Sequence, residues 1–317
     1  MKAVVCTKYG PPEVLQLKEM EKPSPKPNQI LIRVHATAVT ASDCLIRGTK
    51  VPLIMSLVKR VVFGLRRPRR SILGFVLAGD VEAVGKDVTH FKRGDQVYGL
   101  TGLRLGAYAE YASLPERESA TGCLALKPAT MSYEEAAAVP YGALLAMYFM
   151  DKANIRGGHK VLVYGASGAI GTTAVQLAKH AGAEVTAVCS TTNLALVRSL
   201  GADRTMDYTR EASIGDGVYD LVFDAVGTRK SSPLKLQCKS ALTENGKYIS
   251  VDGGMPRARA EYLVRIKRII EAGHFRAVID RSYPLEQIVE AHRYVDQGHK
   301  KGNVVITVRS EGGSIAA

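Results

Sequence analysis

The stretch Val161-Leu-Val-Tyr-Gly-Ala-Ser-Gly-Ala-Ile-Gly171 constrains this chain more than any other. An apolar β-branched run ends in a glycine turn. A helical pattern follows, with Ala174, Val175, Leu177 and Ala178 on its packing face. A second apolar run, 184–188, comes next. Strand, glycine turn, helix and strand in that order make a βαβ unit around a phosphate-binding turn. Gly165, Gly168 and Gly171 stand three apart. In the usual six-residue pattern the first glycine would fall on Ala166, so Gly165 comes one residue early. Gly165 permits the sharp turn, Gly168 admits a pyrophosphate, and Gly171 lets the helix lie close to the strand. Ser167, Ala169 and Ile170 complete the turn, where helix N–H groups and the positive dipole end face the phosphates.

The end of the second strand speaks to which dinucleotide is bound. An NAD site places Asp or Glu there, about 20 residues on, for the ribose 2′-hydroxyl. Here the chain reads Val188-Cys-Ser-Thr-Thr-Asn193, without a carboxylate. Ser190, Thr191, Thr192 and Asn193 suit a 2′-phosphate, with Arg198, Tyr208 and Arg210 as further candidates. NADPH is the favoured expectation. The alternative is an ordinary polar loop and indifference between the two, because the loop itself holds no Arg or Lys.

A length of 317 residues is comfortable for two domains. Residues 1–125 alternate short apolar runs with Gly and Pro, as in a partly open β-barrel. Residues 126–276 alternate strands and helices, as in a doubly wound parallel sheet. Strands are expected at 160–164, 184–188, 204–206, 219–224 and 247–251. The tail, 277–317, is expected to complete the first domain. After Gly254 no sixth strand is evident before a helix, which shortens the sheet edge and favours a monomer or an atypical homodimer.

Five cysteines lie at 6, 44, 123, 189 and 238, with no CxxC spacing, so neither disulfides nor a structural zinc is expected. The start reads as a strand rather than a signal peptide. The longest apolar run, 136–150, contains Pro140 and Gly142 and falls short of the ~20 residues a span needs. A soluble, cytoplasmic protein is expected. The net charge is +13. Lys59, Arg60, Arg66, Arg67, Arg69 and Arg70 concentrate part of it. That cluster reads as a solvated loop, a nucleic-acid or membrane contact, or a steering device for an anionic substrate. Only Phe63 supplies an aromatic ring within it, against a single-strand binder.

The order of these pieces resembles the medium-chain dehydrogenase/reductase superfamily, most of all its zinc-free quinone oxidoreductase, zeta-crystallin-like branch. The likeness rests on residues 9–15, 41–47, 79–85, 91–98 and 134–140, the glycine turn, and residues 199–203, 219–227 and 302–306. It implies a GroES-like catalytic domain, a Rossmann domain and NADPH-dependent reduction of quinones or α,β-unsaturated carbonyls. Zinc-dependent members carry Gly-His-Glu where this chain has Gly74-Phe-Val-Leu-Ala-Gly79, and Cys44 alone cannot hold a catalytic zinc. The resemblance implies candidate pocket residues Thr40, Asp43, Arg47 and Tyr141. Thr40 stands where members have Asn, and Leu45 and Leu145 where some have Tyr and Thr. Asp43 is read either as a helix cap or as a proton carrier, Arg47 as an ion-pair partner or pocket residue, and Tyr141 as cleft-facing or core. Val226 and Gly227 after the fourth strand and Asp252 and Gly253 after the fifth join the cofactor set, since ligands bind beyond the carboxyl ends of such strands, and the resemblance adds Asn303. A second reading is a non-enzymatic NADPH-binding protein with an RNA-binding or regulatory role.

Overall fold

The computed structural model describes residues 1–49, 53–119, 121–229, 231–254 and 256–308. Contacts divide the chain into two units: residues 1–141, 257–268 and 279–317, and residues 142–256 and 269–278.

The second unit is built on a five-stranded parallel sheet. Its spatial order is Arg204–Asp207, Glu184–Cys189, Lys160–Tyr164, Tyr219–Asp224 and Leu242–Ser250. Counted along the chain this is 3-2-1-4-5, the Rossmann order, with the reversal between the first and fourth strands. Lys160–Tyr164 is buried from Val161 onward, as a central strand covered on both faces must be. Helix Ala169–His180 is buried from Ala169 to Ala178. The sheet ends at Leu242–Ser250, and residues 251–254 and 256–259 contain no strand before helix Ala260–Glu271.

The first unit holds a seven-stranded sheet and the hairpin of Lys2–Cys6 with Leu15–Glu19. Its organising element is the long strand Gln29–Val39. One end pairs with Tyr111–Pro115, the other with Asn303–Thr307, and Val76–Val84 lies along its opposite edge. The tail enters as a βαβ piece: Ile279–Pro284, helix Ile288–Asp296, then Asn303–Thr307 in parallel with Ile279–Pro284. Helix Tyr133–Ala138, capped by Ser132 and Glu135 as its sequence suggests, packs on strands Gln29–Val39 and Val76–Val84. It therefore belongs with this unit. Residues 257–268 do too: the Tyr98 hydroxyl donates to Leu263 O at 2.6 Å, and Ala260 N donates to Glu118 Oε2 at 2.9 Å. No helix among the described residues is long and apolar enough to cross a membrane.

Candidate functional site

The glycine turn leaves the carboxyl end of Lys160–Tyr164, beside the sheet's reversal point. Gly165 has φ +79°, and a Cβ there would meet Val226 Cγ1 at 2.4 Å. The turn thus abuts the loop after the fourth strand, and both backbone and space require glycine. Gly171 is glycine for packing alone. Its Cβ would lie 2.2 Å from Gly165 O and 2.7 Å from Ala166 Cα. Gly168 differs. It sits at φ −80°, ψ 175°, where any residue is at ease, as N-cap of helix Ala169–His180. No side chain caps that helix end, and a Cβ at Gly168 would meet only Gly165 O at 3.7 Å. The protein's own packing does not explain this glycine. An anion laid on the helix N-terminus does, because a side chain there would fill its seat. Sequence reasoning missed Gly142. A Cβ on it would lie 2.5 Å from Ala169 O, so it admits helix Pro140–Ala153 against the turn.

The loop after Glu184–Cys189 is joined to the turn. Asn193 Nδ2 donates to Ser167 Oγ at 3.2 Å and to Ser190 Oγ at 3.1 Å. Its Oδ1 is buried without a partner, an orphaned acceptor at the rim. Thr191 donates instead to Asp207 Oδ2, which the sequence reading did not single out. Asp207 ends the third strand opposite Cys189, and also accepts from Thr209 N and Oγ1. Burial pushes its carboxyl up, but these hydrogen bonds outweigh burial and hold it below the usual range. Arg210 stands 3.8 Å away, while Arg198 turns aside to bond Thr205 Oγ1. Tyr208 packs its ring against Tyr164.

The loops beyond the fourth and fifth strands are held together by carboxylates. Asp224 Oδ1 accepts from Val226 N and Gly227 N, each at 3.1 Å. Asp224 Oδ2 accepts from Tyr248 at 2.9 Å and faces Lys235 Nζ at 3.0 Å. Gly227 has φ +59°, and a Cβ on it would lie 2.4 Å from both Asp252 carboxylate oxygens. Asp252 Oδ2 accepts from Thr228 N at 2.5 Å. Gly253 follows at the tip. Asp224, Lys235 and Tyr248 are support residues that the sequence did not disclose.

Asn303 is buried at the start of its strand in the first unit, in register with Ile279. In that unit Thr40 and Asp43 form a capping box on helix Ala41–Arg47. Thr40 is the N-cap, and Asp43 reaches back from the third helical position. Asp43 is completely buried and accepts from Thr40 N at 2.9 Å, Thr40 Oγ1 at 2.6 Å and Gly74 N at 3.0 Å. Burial pushes its carboxyl up to about 6, against the pull of these donors. His292 Nε2 lies 3.2 Å from the Tyr108 hydroxyl, and His292 Nδ1 lies 3.5 Å from the Cys44 thiol. Burial, then Arg47, keeps His292 neutral, and burial raises the Cys44 thiol. Arg47 is buried against Asp296 at 2.5 Å, its Nε and Nη1 without partners. Tyr141 meets the residue before Asp43 on the same helix. Its hydroxyl is 3.2 Å from Ser42 Oγ, and both residues are half-buried.

The model for the alcohol dehydrogenase GroES-like domain matches residues 26–124. Models described as zinc-binding dehydrogenase match residues 169–276 and 252–306. A 2-methylene-furan-3-one reductase of Solanum lycopersicum is 32% identical, over 96% of this chain and 79% of that protein. A chloroplastic NADPH-dependent alkenal/one oxidoreductase of Arabidopsis thaliana is also 32% identical, over the same shares. Among solved structures, the quinone oxidoreductase from Coxiella burnetii superposes with a TM-score of 0.83 at 28% identity, covering 98% of this chain and 99% of that one. The chain belongs to the medium-chain dehydrogenase/reductase superfamily, in its quinone oxidoreductase-like branch.

Zinc, which many dehydrogenases of this superfamily hold, does not fit the residues present. A catalytic zinc needs three protein ligands. Cys44 and His292 supply two donors already bonded to each other, and Asp43 is committed to Thr40 and Gly74. Among the described residues, no group of three His, Cys, Asp or Glu is placed to hold a metal ion. In this superfamily member the cluster is a buried hydrogen-bond chain, with Arg47 as its cation. Removing one partner of a buried pair costs more than replacing the charge by an apolar chain. Asp296→Ala is therefore expected to lose about 2 kcal/mol, discounted for the partial exposure of Asp296. Arg47→Met should lose less, as urea unfolding of both variants will test. The reverse order would mean that Arg47 is not a stranded buried charge.

Proposed function

We propose that this protein is a zinc-independent, NADPH-dependent reductase of quinones or α,β-unsaturated carbonyls. Gly168 is the observation that carries the cofactor: an uncapped helix N-terminus at the sheet's reversal point, kept free of a side chain that the fold would tolerate. The substrate class rests on the relatives, an alkenal/one reductase, a furanone reductase and a quinone oxidoreductase. Bound NADPH supplies a hydride from C4 of its nicotinamide. The chain's residues do the rest. Helix Ala169–His180 and the Gly165–Gly168 turn hold the pyrophosphate. Ser190, Thr191 and Asn193 receive the ribose end, with the Asp207 charge engaged by Thr191 and Thr209. Val226, Gly227, Asp252 and Gly253 form the far wall, braced by Asp224. Thr40 and Asp43 serve as the capping box, and Arg47 as the ion-pair partner of Asp296. Tyr141 with Ser42 is the hydroxyl pair suited to donate to an acceptor oxygen as it gains charge.

Steady-state oxidation of NADPH and NADH by chelator-treated protein, over a panel of quinones and alkenals, tests this reading. The expected result is turnover insensitive to chelation, with NADPH preferred at least about tenfold, the worth of one good contact. Tight NADPH binding with no turnover on any acceptor would instead leave a binding protein.

A further inference from the structure

The reductase reading assigns the cationic cluster at 59–70 no role, and the structure gives it a shape. Helix Leu53–Phe63 turns Lys59 and Phe63 inward. Lys59 is buried, its Nζ donating to Leu45 O and Gly48 O beneath the ring of Tyr9. Phe63 packs on the core formed with Val4, Leu73 and Tyr108. Apart from Arg60, the helix's described exposed side chains are apolar. Leu57 is 65% exposed, Val61 62% and Val62 46%, and Leu65 just past the helix is 69% exposed. On an α-helix Leu57 and Val61 lie about 40° apart, with Arg60 about 60° to the other side of Leu57.

The arginines are held next to this face. Gly64, at φ +124°, turns the chain, and a Cβ on it would collide with Arg67 O at 2.4 Å. Tyr9 donates to Gly64 O at 2.7 Å, and Arg69 N donates back to Phe63 O at 2.6 Å. Arg66, Arg67, Arg69 and Arg70 are all exposed. No Asp or Glu occurs between Asp43 and Asp80. Among the described residues, neither Arg60 nor any of these four forms an ion pair.

We propose that this face, Leu57, Val61 and Leu65 bordered by the five arginines, docks on an anionic membrane surface. Charge complementarity selects a polyanion. The exposed aliphatic side chains select a bilayer among polyanions, because its headgroup boundary accepts cations and hydrocarbon side by side. A nucleic acid would reward aromatic rings, and the segment's single ring, Phe63, is turned into the core.

The test is co-sedimentation of the full chain with phosphatidylcholine vesicles, plain or with about a third phosphatidylserine. Two variants accompany it: R66Q/R67Q/R69Q/R70Q, and L57S/V61S/L65S. Unchanged melting and NADPH affinity would certify both as folded. The expected result is binding to anionic vesicles only. The charge variant should lose at least ~100-fold in partition, at roughly one favourable contact per arginine. The apolar variant should lose about tenfold and release completely in high salt. Failure of the parent protein to sediment with anionic vesicles at low ionic strength overturns the proposal, whatever the variants do. So does binding of single-stranded RNA that the apolar variant retains in full, with vesicles ignored. Binding to both vesicle types alike would also refute the assigned role of the arginines.

Discussion

Gly168→Asp will make the protein slightly more stable and nearly unable to bind NADPH. The position has an extended backbone, φ −80°, ψ 175°, with room for a Cβ. Asp is among the best N-caps, and its charge sits well on the positive helix end, so a gain of roughly 0.5–1 kcal/mol is expected. The same carboxylate would occupy the pyrophosphate's seat. Two like charges about 4 Å apart repel by several kcal/mol even when partly screened, so NADPH affinity should fall more than ~100-fold. Gly171→Ala makes the contrast. Its methyl would press on Gly165 O and Ala166 Cα, backbone atoms that cannot swing aside, so the fold itself should lose about 1–3 kcal/mol. Thermal melts and NADPH fluorescence titrations separate the two. If Gly168→Asp binds NADPH as the parent does, the helix end is not the phosphate site.

Asp43 will make stability fall as pH rises, opposite to the usual carboxylate. Burial lifts its folded-state value from 3.8 to about 6. Its contribution is fully present below about pH 4, where the group is protonated in both states, and is lost as pH climbs through 6. The difference corresponds to about 3 kcal/mol. Asp43→Asn removes the titration and adds a pH-independent offset, because one acceptor of Thr40 or Gly74 is lost. The stability of the parent relative to this variant should therefore decline by about 3 kcal/mol between pH 3 and pH 7. Denaturant unfolding of both proteins across that range checks it. A flat difference, or one that grows with pH, would contradict the burial of a charged Asp43.

Much of the frame was legible because it is local. The strands at 160–164 and 219–224 have the bounds their apolar runs suggest, and the glycine turn and the Ser132–Glu135 box depend on neighbours a few residues apart. Asp43 was legible as a capping residue, but its place in the box was not. Thr40 is the N-cap, since its hydroxyl lies where Asp43 N can reach it. What stayed hidden is paired over long spans. Cys44 meets His292 and Arg47 meets Asp296 only because the tail returns to the first unit. Asp207 was hidden for another reason. It ends the third strand rather than the second, and reaches the loop by sheet register with Cys189.

Metal-free protein given NADPH carrying two deuteriums at C4 and an alkenal offers the most direct test. Mass spectrometry of the product reads the outcome. The account predicts one deuterium on the β-carbon of a saturated carbonyl, with the yield unchanged by added zinc. Product without deuterium, or deuterium transfer only after zinc is restored, would contradict it.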